Sequence, residues 1–287
     1  MSYNVTAVIT TCRREWSIIE RAIRSVSAQT RPVYELLLID DNDPSSEFTK
    51  TIKENIKAWP IARYVSMGVN SGVAAARNKA MSEARGDLIG YLDDDDEWFP
   101  DKIEKQTAVF EAHPDAGIVY GVGMKLNDDT GKEEGYTWSY TVFRECPTFE
   151  EMLAADRIGS TSHPLIKKEV LKAVGGFQTQ GIPAVEDYEL WIRIIRQYKG
   201  YGLKEALYHK HMNNSEHVSR NRNKTFAGYR YIYHEFEEDY AKNLYAKKRI
   251  LWNVVREGVK AKNPQVLPYF FRWLLLKWNP KAKGDLD

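Results

Sequence analysis

Cysteine is scarce in this sequence. The 287 residues include two, Cys12 and Cys146, too far apart in the chain to suggest a disulfide framework. A reducing compartment fits that usage. The N-terminus, Met1-Ser2-Tyr3-Asn4, lacks the basic region and apolar stretch of a signal peptide. No uninterrupted apolar run is long enough to span a bilayer, so a cytoplasmic location is expected. Neither sign of charge dominates: 41 Lys and Arg face 40 Asp and Glu, a formal net charge of +1. Such a balance gives no overall field favouring nucleic acid or membrane. Gly-x-Gly-x-x-Gly and the phosphate-loop signature are both missing, which argues against a dinucleotide or ATPase site. There is no internal repeat and no low-complexity linker.

What the chain does have is an acidic run at the end of an apolar one. Asp87 to Leu92 reads as a short buried strand that continues into Asp93, Asp94, Asp95 and Asp96. Buried carboxylates must find cations or neutralise, so the run belongs where the strand leaves the sheet. In open α/β sheets that carboxyl edge is the ligand-binding edge. Adjacent carboxylates are hard ligands suited to Mg²⁺ or Mn²⁺, with the remaining positions filled by water and substrate phosphates. The competing reading is a solvated acidic turn that caps the helix beginning near Pro100. A calcium loop fits poorly, because Trp98 stands where a glycine is needed.

The same strand-to-acid exit occurs earlier. Val5 to Thr10 is a β-branched strand that leads into the basic loop Cys12-Arg13-Arg14. Ile19, Ala22, Ile23 and Val26 give the next helix one apolar face. Leu36 to Ile39 is a second buried strand, ending in Asp40 and Asp41. A third strand, near Arg63 to Ser66, precedes Asn70-Ser71-Gly72 and an Ala-rich helix carrying Arg77. A glycine at a helix start permits close backbone approach, and the helix N-terminus favours an anion. Arg77 is a candidate phosphate ligand, or else a solvated helix residue. Alternation of strand and helix to about residue 110 implies a mainly parallel sheet flanked by helices.

Beyond it, Gly117 to Lys125 reads as a strand whose partner returns over Tyr136 to Val142, which makes the sheet mixed. Short elements follow at Thr148 to Ala155 and Pro164 to Ile166. A helix buries Leu190, Trp191, Ile194 and Ile195, with Glu186 and Asp187 at its N-terminal end. Helix capping explains one such acid, and a carboxylate held at that junction is also a workable general base. Tyr201 to Tyr208 is expected as the last strand. Ser219 to Lys224, polar and basic, is either a lid over a diphosphate or a solvated loop. From Thr225 the chain reads as a C-terminal helical extension (225–287) on a catalytic domain (1–224). Its aromatic and basic last helix, 266–278, has three candidate partners: the catalytic domain, a second subunit, or a membrane interface at the inner face.

Taken together these residues resemble the family-2 glycosyltransferases, inverting enzymes of the GT-A fold. The resemblance spans about residues 3 to 215. It rests on Val8-Ile9-Thr10-Thr11, Ile39-Asp40-Asp41, Asn70-Ser71-Gly72, Ala76-Arg77-Asn78, Leu92 to Asp96, Gly175-Gly176-Phe177 and Glu186-Asp187. It implies transfer from a nucleotide-sugar donor, by default a UDP-sugar, to a saccharide or lipid-linked acceptor, with Mn²⁺ or Mg²⁺. Carried over by position, it places Thr11, Asp41, Asp93 and Asp94 around the nucleotide, where Arg13, Asn70, Gly72 and Arg77 are further candidates read from the residues. Asp95 becomes the metal ligand, and His211, near the diphosphate, a second candidate for the metal. Asp187 becomes the base and Glu186 the residue that positions the acceptor. The first loop departs from the family, with Cys12-Arg13 in place of Tyr-Asn. A nucleotidyltransferase and a non-catalytic sugar-nucleotide-binding protein are the alternatives.

Overall fold

The computed structural model describes residues 3–212, 221–279 and 282. The first half alternates as expected: β1 (Val5–Thr11), α1 (Trp16–Ser27), β2 (Glu35–Asp40), α2 (Glu47–Asn55), β3 (Ala62–Ser66), α3 (Val73–Glu83) and β4 (Leu88–Asp93). Then come β5 (Asp96–Trp98), α4 (Lys102–Ala112), β6 (Ala116–Asn127), β7 (Lys132–Tyr136), α5 (Phe149–Ala154), β8 (Leu165–Lys167) and α6 (Lys168–Ala173). The chain continues through α7 (Glu186–Gln197), β9 (Lys199–His211), α8 (Arg222–Glu235), α9 (Glu237–Lys242), α10 (Leu244–Lys260) and α11 (Leu267–Lys277).

One sheet runs β3-β2-β1-β4-β8-β6-β9-β5, with β7 paired to β6. The first four strands are parallel. β8 opposes both β4 and β6, β9 runs parallel to β6, and β5 opposes β9. β2 is buried along its whole length, as a parallel strand covered on both faces must be. Ile19, Ala22, Ile23 and Val26 of α1, with Ile52 of α2 and Phe110 of α4, fill one face. The other face packs under α3, α5, α7 and the C-terminal helices, around Ala76, Met152, Leu190 and Trp191. Phe226, Tyr233, Tyr240, Ile250 and Leu251 belong to that same core.

Several expected elements are displaced. The hairpin partner of β6 spans Lys132–Tyr136 and not Tyr136 to Val142. Asn127 already faces Lys132 in register, so pairing starts directly after the turn and ends where the aromatic residues begin. Trp138–Tyr140 instead form a single 3₁₀ turn. β9 is longer than the expected 201–208, because it pairs with β6 along most of its length and with β5 at its end. The aspartate run is not one exit loop: Asp93 ends β4 and Asp96 opens β5, antiparallel to β9. Of the expected lid, Ser219 and Arg220 lie outside the described residues, whereas Arg222 to Lys224 begin α8.

Candidate active site

Thr11, Asp41 and Asp93 reach the same carboxyl edge, at or just past the ends of β1, β2 and β4. The Asp41 carboxylate accepts the backbone N–H groups of Ser71 (2.7 Å) and Gly72 (2.9 Å). The Asn70 amide donates to the Asp41 carbonyl at 2.9 Å and to the Cys12 sulfur at 3.0 Å. Asp41, Asn70 and Gly72 thus form one wall that leads into α3. Gly72 has φ +88°, in the left-handed region where side chains are strained. Asp40 is structural: it accepts from Asn42, from the Thr49 hydroxyl (2.7 Å) and from the Tyr64 hydroxyl (2.8 Å).

The acidic run is held by cations on every side. Arg14 Nε meets Asp94 at 3.0 Å and its Nη2 meets Asp95 at 3.2 Å. Thr11 donates its hydroxyl to Asp94 at 2.7 Å, and Arg21 donates to the Asp95 carbonyl at 2.9 Å. Burial pushes the Asp94 carboxyl up to about 7, against the pull of Arg14 and with the repulsion of Asp95. Asp96 is likewise raised by burial to about 7 despite the attraction of Lys210. Asp96 accepts the Ser162 hydroxyl at 2.7 Å. For Asp93, burial works upward, but Arg77 and Lys210 outweigh it and hold the carboxyl below its ordinary value.

Arg77 is the hinge of the site. Its Nη2 donates to Asp93 (2.9 Å) and to the Thr161 hydroxyl (2.9 Å), while Nη1 donates to Glu186 (2.8 Å). The guanidinium also lies 5.3 Å from the centre of the Phe177 ring, a cation–π distance. Asn78 exchanges two 2.8 Å hydrogen bonds with the backbone of Phe177. A side chain on Gly176 would strike the Asn78 amide, 2.5 Å from its Cβ. The Ala76-Arg77-Asn78 and Gly175-Gly176-Phe177 motifs therefore pack directly against each other.

Glu186 and Asp187 open α7, directly after Val185 at φ +59°, an uncommon setting for a β-branched residue. Asp187 accepts its neighbour's N–H, that of Tyr188, at 2.8 Å. Burial raises its carboxyl well above the ordinary value, Glu186 adds to the shift, and Arg77 opposes it. A carboxyl raised in this way holds a proton more tightly than an ordinary carboxylate, as a general base must.

Not every expected residue joins this cluster. The Arg13 side chain is exposed; its backbone, at φ +52°, donates to Asn42 at 2.7 Å. Arg14, and not Arg13, reaches the aspartates. The two ring nitrogens of His211 are bonded to Glu97, at 2.6 Å, and to Asp128, so neither nitrogen is turned to Asp95. Arg14, Lys210, Thr161 and Ser162 were not singled out from sequence. The one available signal was electrostatic: four adjacent acids need cations, and Arg14 stands just beyond a neighbouring strand end.

Among the described residues, no group of three or more His, Cys, Asp or Glu side chains is arranged as a metal cage. A Mg²⁺-type site does not need one, because one or two carboxylates suffice when phosphate oxygens complete the shell. Asp94 and Asp95 already converge on a single cation, the Arg14 guanidinium. That donor set fits a divalent ion.

A family model described as "Glycosyl transferase family 2" matches residues 6–174. TuaG of Bacillus subtilis (strain 168), named for teichuronic acid biosynthesis, is 28% identical over 86% of this chain and 98% of its own length. WcaA of Escherichia coli (strain K12), named for colanic acid biosynthesis, is 26% identical over 85% and 88%. Among solved structures, S. aureus TarS with UDP-GlcNAc superposes with TM-score 0.69 at 17% identity, covering 95% of this chain and 79% of that one. The Pyrobaculum calidifontis mannosyltransferase PcManGT, solved with GDP-Man and Mn²⁺, gives TM-score 0.65 at 16% identity, with coverage of 98% and 86%. The fold is GT-A, as the sequence led us to expect.

Proposed function

The chain belongs to glycosyl transferase family 2, and we propose that it is an inverting, metal-dependent member acting in the assembly of a cell-surface polysaccharide. The donor is a nucleoside-diphosphate sugar, with a UDP-sugar the first choice. The acceptor is a hydroxyl of a saccharide or of a lipid-linked glycan. Two names support the product class: the relatives named for teichuronic and colanic acid biosynthesis. Support for the donor class comes from the sugar nucleotides bound in TarS and PcManGT. The free thiols of Cys12 and Cys146 suit a reducing, cytoplasmic setting.

One observation carries this reading: Arg77 ties Asp93, on the nucleotide side, to Glu186, on the acceptor side. A single guanidinium therefore keeps two acidic groups at a fixed spacing. Thr11, Asp41, Asn70, Gly72, Asp93 and Asp94 would cradle the nucleotide, with the Arg13 backbone at the rim. Asp95 would hold Mn²⁺ or Mg²⁺, which when bound offsets charge on the departing diphosphate. Without the ion, Arg14 supplies the positive charge between Asp94 and Asp95. His211 would join only by exchanging its bond to Glu97. At the other end, Glu186 aligns the acceptor hydroxyl and Asp187 takes its proton. As that oxygen bonds to the anomeric carbon, the bond to the diphosphate breaks and the configuration inverts.

A thermal-shift panel of UDP, GDP, dTDP and CDP, each with and without Mn²⁺, tests the donor half. A ligand that binds only the native state raises the unfolding midpoint. One diphosphate is expected to shift it, and only with Mn²⁺. No shift with any of the four would remove the sugar-nucleotide reading.

A further inference from the structure

The last helix presents its apolar residues outward. Leu267, Phe270, Phe271, Leu274, Leu275 and Trp278 are exposed, with Leu275 at 79%, Trp278 at 78% and Phe271 at 60%. Their spacing of three and four residues sets them in one stripe along a single helix face. The opposite side does the packing: Tyr269 is buried, and Trp273 and Leu276 are half-buried against the core. Scattered surface leucines are ordinary, but a continuous stripe marks a binding face. Being 11 residues long, the helix covers about 16 Å, and among the described residues no helix is long and apolar enough to cross a membrane.

Charge decides what covers the stripe. Between Glu257 and Asp285 the sequence carries no acidic residue, but it holds Lys260, Lys262, Arg272 and Lys277. Lys277 Nζ lies 5.5 Å from the Trp273 ring centre and 5.7 Å from that of Trp278, at the edge of the apolar face. Aromatic rings flanked by long basic side chains suit the headgroup boundary, where the rings sink and the cations stay wet. A second copy on the same face would bring cation against cation, which disfavours pairing.

We propose that α11 is an interfacial anchor whose outward stripe lies in the surface of a bilayer containing anionic lipid. The attachment is peripheral and reversible, because one short helix buries few side chains. It does not depend on the chemistry assigned to the active site.

Vesicle flotation of the full chain tests the proposal, with phosphatidylcholine alone and with phosphatidylglycerol mixed in. The wild type is expected to float with the mixed vesicles, more weakly with phosphatidylcholine alone, and less as salt rises. Phe271→Ser with Leu275→Ser should lower partitioning by about tenfold per side chain while leaving the thermal midpoint unchanged. Arg272→Gln with Lys277→Gln should reduce binding to the anionic vesicles only. Failure of the wild type to float, or equal flotation of the double serine variant, overturns the anchor. So does a wild-type dimer in sedimentation that the serine variant converts to monomer, because the face would then belong to a second copy.

Discussion

Asp187 is the residue on which the proposed chemistry turns, and its two roles, proton acceptor and bystander to nucleotide binding, can be separated. Asp187→Asn should lower kcat by on the order of 10²–10⁴, while the affinity for the diphosphate with Mn²⁺ stays within a few-fold. Full turnover by that variant would remove the assignment. The same carboxyl sets a pH dependence. Burial and Glu186 raise it above the ordinary carboxylate value, and only its deprotonated form accepts a proton. Wild-type kcat/KM should therefore rise with pH through a value above about 4 and fall away on the acid side; a flat acid limb would contradict this. Arg14 makes a second test. Arg14→Gln leaves Asp94 and Asp95 without their shared cation, which should cost about 1–3 kcal/mol in EDTA. Mn²⁺ should then recover more of the midpoint in the variant than in the wild type, and an equal response would show that ion and arginine occupy different places. Asp41 and the run beginning at Asp93 were legible in the sequence because they directly follow recognisable strands, and Glu186 and Asp187 because they open a helix with one apolar face. Their cations were not, because Lys210 reaches Asp96 only through the antiparallel register of β5 on β9, and register between distant segments leaves no local mark.

Elements show the same division between what is local and what is not. β1, β2 and β4 are read from β-branched and apolar runs, and α1 from its spacing. β5 was invisible, because three residues containing two acids carry no strand signal. β7 was misplaced because its residues are all exposed, whereas the aromatic residues after it look like a strand. The corner before α7 is an element no pattern announces. Val185 sits at φ +59°, and Gly228 of α8 lies so close that a side chain there would come 2.2 Å from the Ala184 carbonyl oxygen. Neither group is the yielding end of a flexible side chain, so the corner itself must move. Gly228→Ala should destabilise the fold by about 1–3 kcal/mol and displace Glu186 and Asp187. Transfer should then fall while nucleotide affinity holds, as measured by turnover and by titration with UDP or the diphosphate that proves to bind. Parallel losses of both would mean that the corner supports the whole sheet edge and not the acceptor side alone.

For the whole molecule, the question is whether the C-terminal helices form an appendage. The chain reads in sequence as a catalytic part ending near residue 224 and a helical extension, because strands stop there and helices continue. Packing gives that division a sharp test. Phe226, Tyr233, Tyr240, Ile250, Leu251 and Val254 share one core with Tyr188, Leu190 and Trp191 of α7. The Tyr240 hydroxyl donates to the Leu153 carbonyl of α5 at 3.3 Å. Removing 225–287 would delete these six large core side chains and expose the faces of α5 and α7 they cover, a loss of about 1.5–3 kcal/mol for each. That sum is comparable to the whole stability of an ordinary domain, so a chain ending at Lys224 should show no cooperative thermal transition. A chain ending at Lys262 loses α11, whose outward face contributes nothing to the core, and should unfold cooperatively at a modestly lower midpoint. Cooperative unfolding of the shorter chain would instead mean that the acidic site needs only the sheet and its first seven helices, with the remaining helices a separable layer.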